Sequence, residues 1–422
     1  MLPPPSPHAL AIARDLIGMN TVSDRSNLAL IGYVHDALAA LGVRSRLTYN
    51  ADRTKANLFA TLGEGKPAGV ILSGHTDTVP WDGQDWSRDP LDAALVDDAP
   101  QGPSLYGRGS CDMKGFIALA LANAERFLHG SAPFAIHFAF SYDEEVGCFG
   151  VRELIADLRD AGIRPLACIV GEPTSMVPAI AHKGVFRYQC CVRGREAHSS
   201  LTPQSVNAVE HAALLVAHLR GMAGRFEREE SRFAVAGLPD ARFDVPFSTM
   251  SVGQFHGGIA DNVVPRDAYF RYEFRNLPTS DAILMQKEVI AQADTTQYAM
   301  KNIAPEAGIR FETICEIPAF SSSPDSPATR LALRLSGAAR PTLVAFGTEA
   351  GLFTGAGIPT VVCGPGSIEQ AHRPDEYVTL DQLARCDAFL QALAQAEVPE
   401  LAIAATDAAT GTAAAAATVM TA

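Results

Sequence analysis

The sequence predicts a layered α/β fold with a mostly parallel sheet, interrupted by a smaller α+β unit of four strands and two helices. Three observations carry this reading. Short apolar runs alternate with segments of helical spacing up to about residue 182, as in a sheet covered by helices. Residues 183–318 break the alternation with four longer strand-like segments and two helical ones. The alternation returns after Ser321-Ser322-Ser323-Pro324-Asp325-Ser326-Pro327, which reads as a linker, and runs through residues 319–400. A chain of 422 residues exceeds what one compact core holds, so an inserted domain within a larger one is the simplest organisation.

Each element has its own signal. Ser6–Met19 and Asn27–Leu41 carry apolar residues at helical spacing: Leu10, Ile12, Leu16 and Ile17, then Leu28, Ile31, Val34 and Leu38. Arg44–Tyr49, Ala56–Leu62 and Gly69–Ser73 read as strands, the last as a buried one closed by Gly74. Pro80–Leu105 is long, polar and turn-rich, a kind of loop that tends to be functional. A helix over Phe116–Leu128, a strand over Phe134–Phe140, a helix over Gly150–Ala161 and a strand over Ala167–Val170 follow. In the inserted part, Val185–Val192, Ser248–Phe255, Ala268–Phe274 and Arg310–Ile317 read as strands, and Asn207–Met222 and Ser280–Tyr298 as helices. Ala328–Leu335 and Leu380–Ala394 are helical, and Thr342–Phe346 and Thr360–Cys363 are strand-like. Residues 401–422 are mostly Ala and Thr without an apolar stripe, so a mobile tail is expected.

Composition narrows the partners. A formal charge of −13 argues against nucleic acid and anionic membrane, which repel an acidic surface. The 8 cysteines are scattered, without a Cys-x-x-Cys pair, and most sit in apolar segments. That pattern fits buried free thiols of a reducing compartment rather than a zinc–thiolate site. No basic cluster leads into a long apolar run, and no segment approaches the roughly 18 apolar residues of a membrane span. The expected setting is the cytoplasm.

Polar residues past the ends of parallel strands are where open α/β sheets place their chemistry. His75-Thr76-Asp77 follows the strand at Gly69–Ser73. His75 suits a metal ligand with Asp77 on its other ring nitrogen, or a loop histidine bonded to a turn aspartate. Asp112 opens a helix, where the dipole favours a carboxylate in any case. Asp143-Glu144-Glu145 follows Phe134–Phe140, and three acids in a row repel one another unless a cation is near. Glu172 follows Ala167–Val170, and His372 lies on a loop after Thr360–Cys363. On one rim, two histidines and several carboxylates form a donor set that zinc accepts and that suffices for two ions.

His75-Thr76-Asp77-Thr78-Val79-Pro80, Gly107-Arg108-Gly109-Ser110-Cys111-Asp112-Met113-Lys114-Gly115, Asp143-Glu144-Glu145, Gly171-Glu172-Pro173-Thr174 and Gln370-Ala371-His372-Arg373-Pro374-Asp375-Glu376 occur in that order. Together they resemble the acetylornithine deacetylase group of the two-zinc family that holds aminoacylases, succinyl-diaminopimelate desuccinylases and carboxypeptidases. The resemblance spans roughly residues 6–395. It implies two Zn2+ ions, with Co2+ as a substitute: His75 on one, His372 on the other, Asp112 bridging, and Glu145 and Glu172 completing the ligands. It implies Glu144 as general base and Asp77 as the group that orients His75. It implies that the inserted unit is a dimerisation domain, through which His198 reaches the partner subunit's site in a homodimer. Asn262 would bind substrate and Arg275 would pair with the substrate carboxylate. From their residues alone, His198 reads first as a surface loop histidine, Arg275 as a surface arginine and Asn262 as a turn residue, and the resemblance alone gives them their roles. Phe346-Gly347-Thr348-Glu349-Ala350 makes Glu349 the expected partner of an ornithine ammonium group. The implied reaction is the zinc-dependent removal of acetyl from N-acetyl-L-ornithine in arginine biosynthesis. Other N-acyl-amino-acid deacylases, dipeptidases and a non-catalytic binding module with the same fold are the alternatives. Gly351-Leu352-Phe353, where the family has a bulkier pattern with proline, and the Ala-rich tail depart from the resemblance.

Overall fold

A computed structural model describes residues 2–63, 65–66, 69–229 and 243–397. The expected mobile tail lies outside them. These residues form two compact units. The first holds the residues up to Ile180, Ser322–Thr342 and those from Thr348 on; the second holds Ala181–Ser321 and Leu343–Gly347.

The first unit begins with α1 (Pro7–Gly18), α2 (Leu28–Ala40), β1 (Ser45–Tyr49), β2 (Ala56–Leu62) and β3 (Val70–His75). It continues through β4 (Leu95–Val96), β5 (Ser104–Tyr106), α3 (Lys114–Ala122), α4 (Ala124–His129), β6 (Ile136–Ser141), α5 (Phe149–Asp160) and β7 (Ala167–Pro173). After β8 (Ala179–His182) come β9 (Val185–Arg193), α6 (Ala208–Glu229), β10 (Thr249–Gly257), β11 (Asp267–Arg275), α7 (Ala282–Lys301), β12 (Gly308–Ile317) and β13 (Phe320–Ser321). The chain closes with α8 (Pro327–Ser336), β14 (Thr342–Val344), α9 (Ala350–Gly355), β15 (Thr360–Gly364), β16 (Tyr377–Thr379) and α10 (Leu380–Leu393).

The middle of the first unit's sheet is parallel. β3 runs beside β6, from Val70 against Ile136 to His75 against Ser141, and beside β7, from Val70 against Ala167. β15 is parallel to β7. β2 and β1 are added antiparallel on the β6 side. β3 and β6 are buried along their whole length, as inner strands of a covered parallel sheet are. Because β6, β3, β7 and β15 share one direction, their C-terminal ends share one rim. Close approach here needs missing side chains: a Cβ on Gly171 of β7 would lie 2.2 Å from the Phe116 ring of α3.

Local chemistry sets the helix ends. Ser6 and Ser326 each cap a helix that starts with proline, and each accepts a bond from a main-chain amide three residues on. The expected linker therefore ends as a helix cap. The expected helix over Phe116–Leu128 is divided at Asn123, whose amide group bonds the Leu119 carbonyl at 2.9 Å and Asp387 at 2.7 Å. The long loop after Pro80 contains β4 and β5, and β5 pairs with both β4 and β16.

In the second unit the strands pair antiparallel in the order β10-β11-β9-β12. Burial alternates along β9 and β11, the period-two pattern of a sheet with one covered face. α6 and α7 cover that face, and Phe186, Tyr188, Phe226, Phe270, Phe274, Leu219 and Met285 share its core.

Candidate active site and metal centre

The rim of the first unit collects the strand-end acids and histidines. His75 is the last residue of β3 and Glu172 lies near the end of β7. Glu144 and Glu145 sit on the turn after β6, which Asp143 enters with φ +56°. Asp112 precedes α3, and His372 lies between β15 and β16 with φ +62°.

Asp112 is the centre. Its Oδ1 lies 2.9 Å from His75 Nε2, and its Oδ2 lies 3.1 Å from His372 Nε2. His372 Nε2 is also 3.1 Å from Glu145, and His75 Nε2 is 3.7 Å from Glu172. Ligand atoms of His75, Asp112 and Glu145 lie within 4.8 Å of one another, as do those of His75, Glu144 and Glu172. His75, Asp112, Glu144 and Glu172 are buried; His372 is the open side, with 47% of its side chain exposed.

This cluster demands positive charge. Burial raises the Glu144, Glu145 and Glu172 carboxyls above their ordinary range, and neighbouring carboxylates push them further. Burial also pushes Asp112 up, but hydrogen bonds from His372 and His75 override it and hold this carboxyl far below the usual range. Burial disfavours the charged imidazoles, yet Asp112 and Glu145 lift His372 to about 11, and Asp112 and Glu172 lift His75 well above its usual value. Protons or metal ions can meet that demand. Imidazole and carboxylate donors without thiolate, with one carboxylate facing a histidine on each oxygen, fit two ions of the zinc type.

Asp77 behaves differently from the expected orienting carboxylate. The contact on His75 Nδ1 is the Asp77 main-chain carbonyl, at 2.9 Å; the side chain stays 3.6 Å away. The carboxylate instead accepts the main-chain amides of Glu144 at 3.1 Å and Glu145 at 3.2 Å, and the Ser23 hydroxyl at 2.7 Å. One residue thus fixes the imidazole with its backbone and the acidic turn with its side chain. Lys55 ties the same turn from outside, bonding Asp143 and the Ser23 carbonyl, each at 2.5 Å.

Glu349 also departs from its expected position. It is 1% exposed, and its two oxygens accept the hydroxyls of Ser141, at the end of β6, and Ser73, in β3, the latter at 3.0 Å. Burial raises its carboxyl, which the two serines partly offset. A carboxylate engaged in this way supports the strand ends that carry His75 and Glu144 rather than meeting a dissolved ammonium group.

His198, Asn262 and Arg275 belong to the second unit. His198 is exposed and bonds Ser200 through Nδ1 at 2.9 Å. The next amide, of Ser199, donates to the Asn262 carbonyl at 3.0 Å, so these two residues are neighbours. Arg275 ends β11 and pairs with Glu273 at 3.0 Å, which also binds Arg187 at 3.0 Å.

Besides Ser23, Lys55, Ser73 and Ser141, the residues Arg108, Glu376 and Gln84 support the site and received no role from the sequence. Arg108 and Glu376 form an ion pair that is 1% exposed on each side.

The profile of "Peptidase family M20/M25/M40" matches residues 71–396. An acetylornithine deacetylase of Myxococcus xanthus is 34% identical over 391 residues, 91% of this chain and 96% of its own length. One from Edwardsiella ictaluri is 33% identical, over 89% of this chain and 94% of its own. Among solved structures, an M20 family metallo-carboxypeptidase from Sulfolobus solfataricus superposes with a TM-score of 0.72 at 17% identity, covering 92% of this chain and 99% of that one. Human carnosine dipeptidase 1 gives 0.65 at 17% identity, covering 92% and 96%.

Proposed function

This chain belongs to the peptidase family M20/M25/M40 and is a metal-dependent amidohydrolase, and from that premise we propose that it removes the acetyl group from N-acetyl-L-ornithine to give L-ornithine and acetate. The relatives named acetylornithine deacetylase, at 33% and 34% identity over nearly the whole chain, support this substrate. In the proposal His75, Asp112, Glu145, Glu172 and His372 hold two zinc ions, for which Co2+ can substitute. The observation that carries the metal reading is Asp112, a buried carboxylate with an imidazole nitrogen on each oxygen. A related Bacillus subtilis M20 protein, at 15% identity, is described as a dinuclear metal binding peptidase.

When bound, the two ions supply Lewis acidity toward the amide carbonyl and the attacking water. Glu144 takes a proton from that water as its oxygen adds to the acetyl carbon. It returns the proton to the amine nitrogen as the C–N bond breaks. Glu144 is buried on the turn that also carries Glu145, a placement suited to a carboxylate that moves a proton. Asp77 keeps Glu144 and Glu145 in place by accepting their amides. In the second unit, Arg275 offers a fork suited to a free α-carboxylate, and Asn262 offers an amide for substrate. His198 donates to the developing oxyanion in the site of the partner subunit, so the working form is a homodimer. The proposal includes a cytoplasmic setting and a role in arginine biosynthesis.

A substrate panel tests the reading. The zinc-loaded protein is offered N-acetyl-L-ornithine, N-succinyl-diaminopimelate, N-acetyl-citrulline and simple dipeptides. The highest kcat/KM is expected on N-acetyl-L-ornithine. Preferential cleavage of dipeptides would assign the protein to the peptidases of the family, and inertness toward all four would favour a binding module.

A further inference from the structure

Asp112 and His372, which come from distant stretches of the chain, are held to one guanidinium. Glu376 Oε1 accepts two successive main-chain amides, Cys111 at 3.0 Å and Asp112 at 3.1 Å. Its Oε2 accepts Arg108 Nη1 at 2.6 Å. The other arm of Arg108, Nη2, donates to Gln84 Oε1 at 2.7 Å, which also accepts the Trp86 indole at 3.0 Å. The Gln84 amide then donates to the His372 carbonyl at 2.9 Å. Strand pairing fixes the frame: β5 ends just before Gly107 and β16 starts just after Glu376, with Tyr106 against Tyr377. The Gly107 amide donates to the Glu376 carbonyl at 2.9 Å, which extends that register to the ion pair.

A buried ion pair is a weak source of stability, since its desolvation cost offsets most of its attraction. Its placement gives it another use. We infer that Glu376, Arg108 and Gln84 are positioning residues that set the spacing of Asp112 and His372 and so shape the two metal positions. Glu376 aims the Asp112 carboxylate by holding its amide, and Gln84 aims the His372 ring by holding its carbonyl. Arg108 makes the two placements one rigid unit. The inference rests on the two-metal reading above.

The test measures zinc affinity by chelator competition in the full chain, alongside the melting temperature of the metal-free protein and the split between kcat and KM. Glu376→Gln keeps the shape of the side chain but loses the charge that holds Arg108. It is expected to weaken zinc about 10–100-fold, the usual effect of removing a group that orients a ligand, and to lower kcat more than KM. Gln84 lies on a partly exposed loop, so Gln84→Ala is expected to fold like the wild type and still weaken one zinc. If Glu376→Gln does not fold, Gln84→Ala decides. Lower melting temperatures with zinc affinities unchanged in both variants would reduce the network to a structural role and overturn the inference. If the wild type itself takes up fewer than two zinc ions, the two-metal reading fails, and this inference with it.

Discussion

Asp112 accepts an imidazole on each carboxylate oxygen, and every other group at the rim is arranged around that fact. Glu144 is the acid whose role separates chemistry from metal binding. Glu144→Gln is expected to keep both zinc ions and lose about 10²–10⁴-fold in kcat, with KM nearly unchanged; metal analysis with steady-state kinetics checks it. Asp77→Asn should turn an amide donor toward the Glu144 and Glu145 amides. Its zinc affinity is expected to fall about 10–100-fold while the far-UV spectrum stays that of the wild type. His75, Glu144, Glu145 and Glu172 were legible because each lies at or just past the end of an apolar run, where a structural reason for it is scarce, whereas Asp112 and His372 stood out only through the motifs around them. The use of Asp77 was not legible, because the partners of its carboxylate lie more than fifty positions away and a sequence does not show which of its oxygens faces what. The surroundings of Glu349 were hidden for the same reason: the motif around it suggests an ammonium partner, and nothing in it shows that Ser73 and Ser141 engage both carboxylate oxygens.

At the scale of elements, β3, β6, β7 and β15 were visible as apolar runs, and they position the site. β4, β5 and β16 were not, since strands of two or three residues leave no periodicity to read. Those short strands nevertheless fix the Asp112 and His372 loops. Gly171 shows how tightly α3 lies on β7. Gly171→Ala is expected to cost about 1–3 kcal/mol in chemical denaturation, because the added methyl meets the Phe116 ring. β6 also carries an acid-labile group away from the rim. His137 is 5% exposed, stacks on Phe59 with ring centroids 5.2 Å apart, and is pushed down to about 4 by burial. Its folded value lies below the unfolded value near 6.5, so the unfolded chain binds the extra proton. The stability is therefore complete above pH 6.5 and is lost as pH falls toward 4, by about 3 kcal/mol. His137→Gln should remove that part of the loss between pH 7 and pH 4, measured by denaturation at both.

For the whole molecule, the change of pattern near Lys183 predicts an insertion over 183–318, because alternating short strands and helices do not continue into long antiparallel ones. The second unit begins at Ala181, and Leu343–Gly347 returns to it after Ser322–Thr342 has rejoined the first. That return is a matter of packing and carries no compositional mark. The measurement that bears most directly on the protein's proposed role is acetate release from N-acetyl-L-ornithine by the purified chain, before and after chelation. Equal amounts of acetate and ornithine are expected with zinc present, with release abolished by the chelator and restored by added zinc. No acetate at any metal loading, from a folded protein, would contradict the assignment.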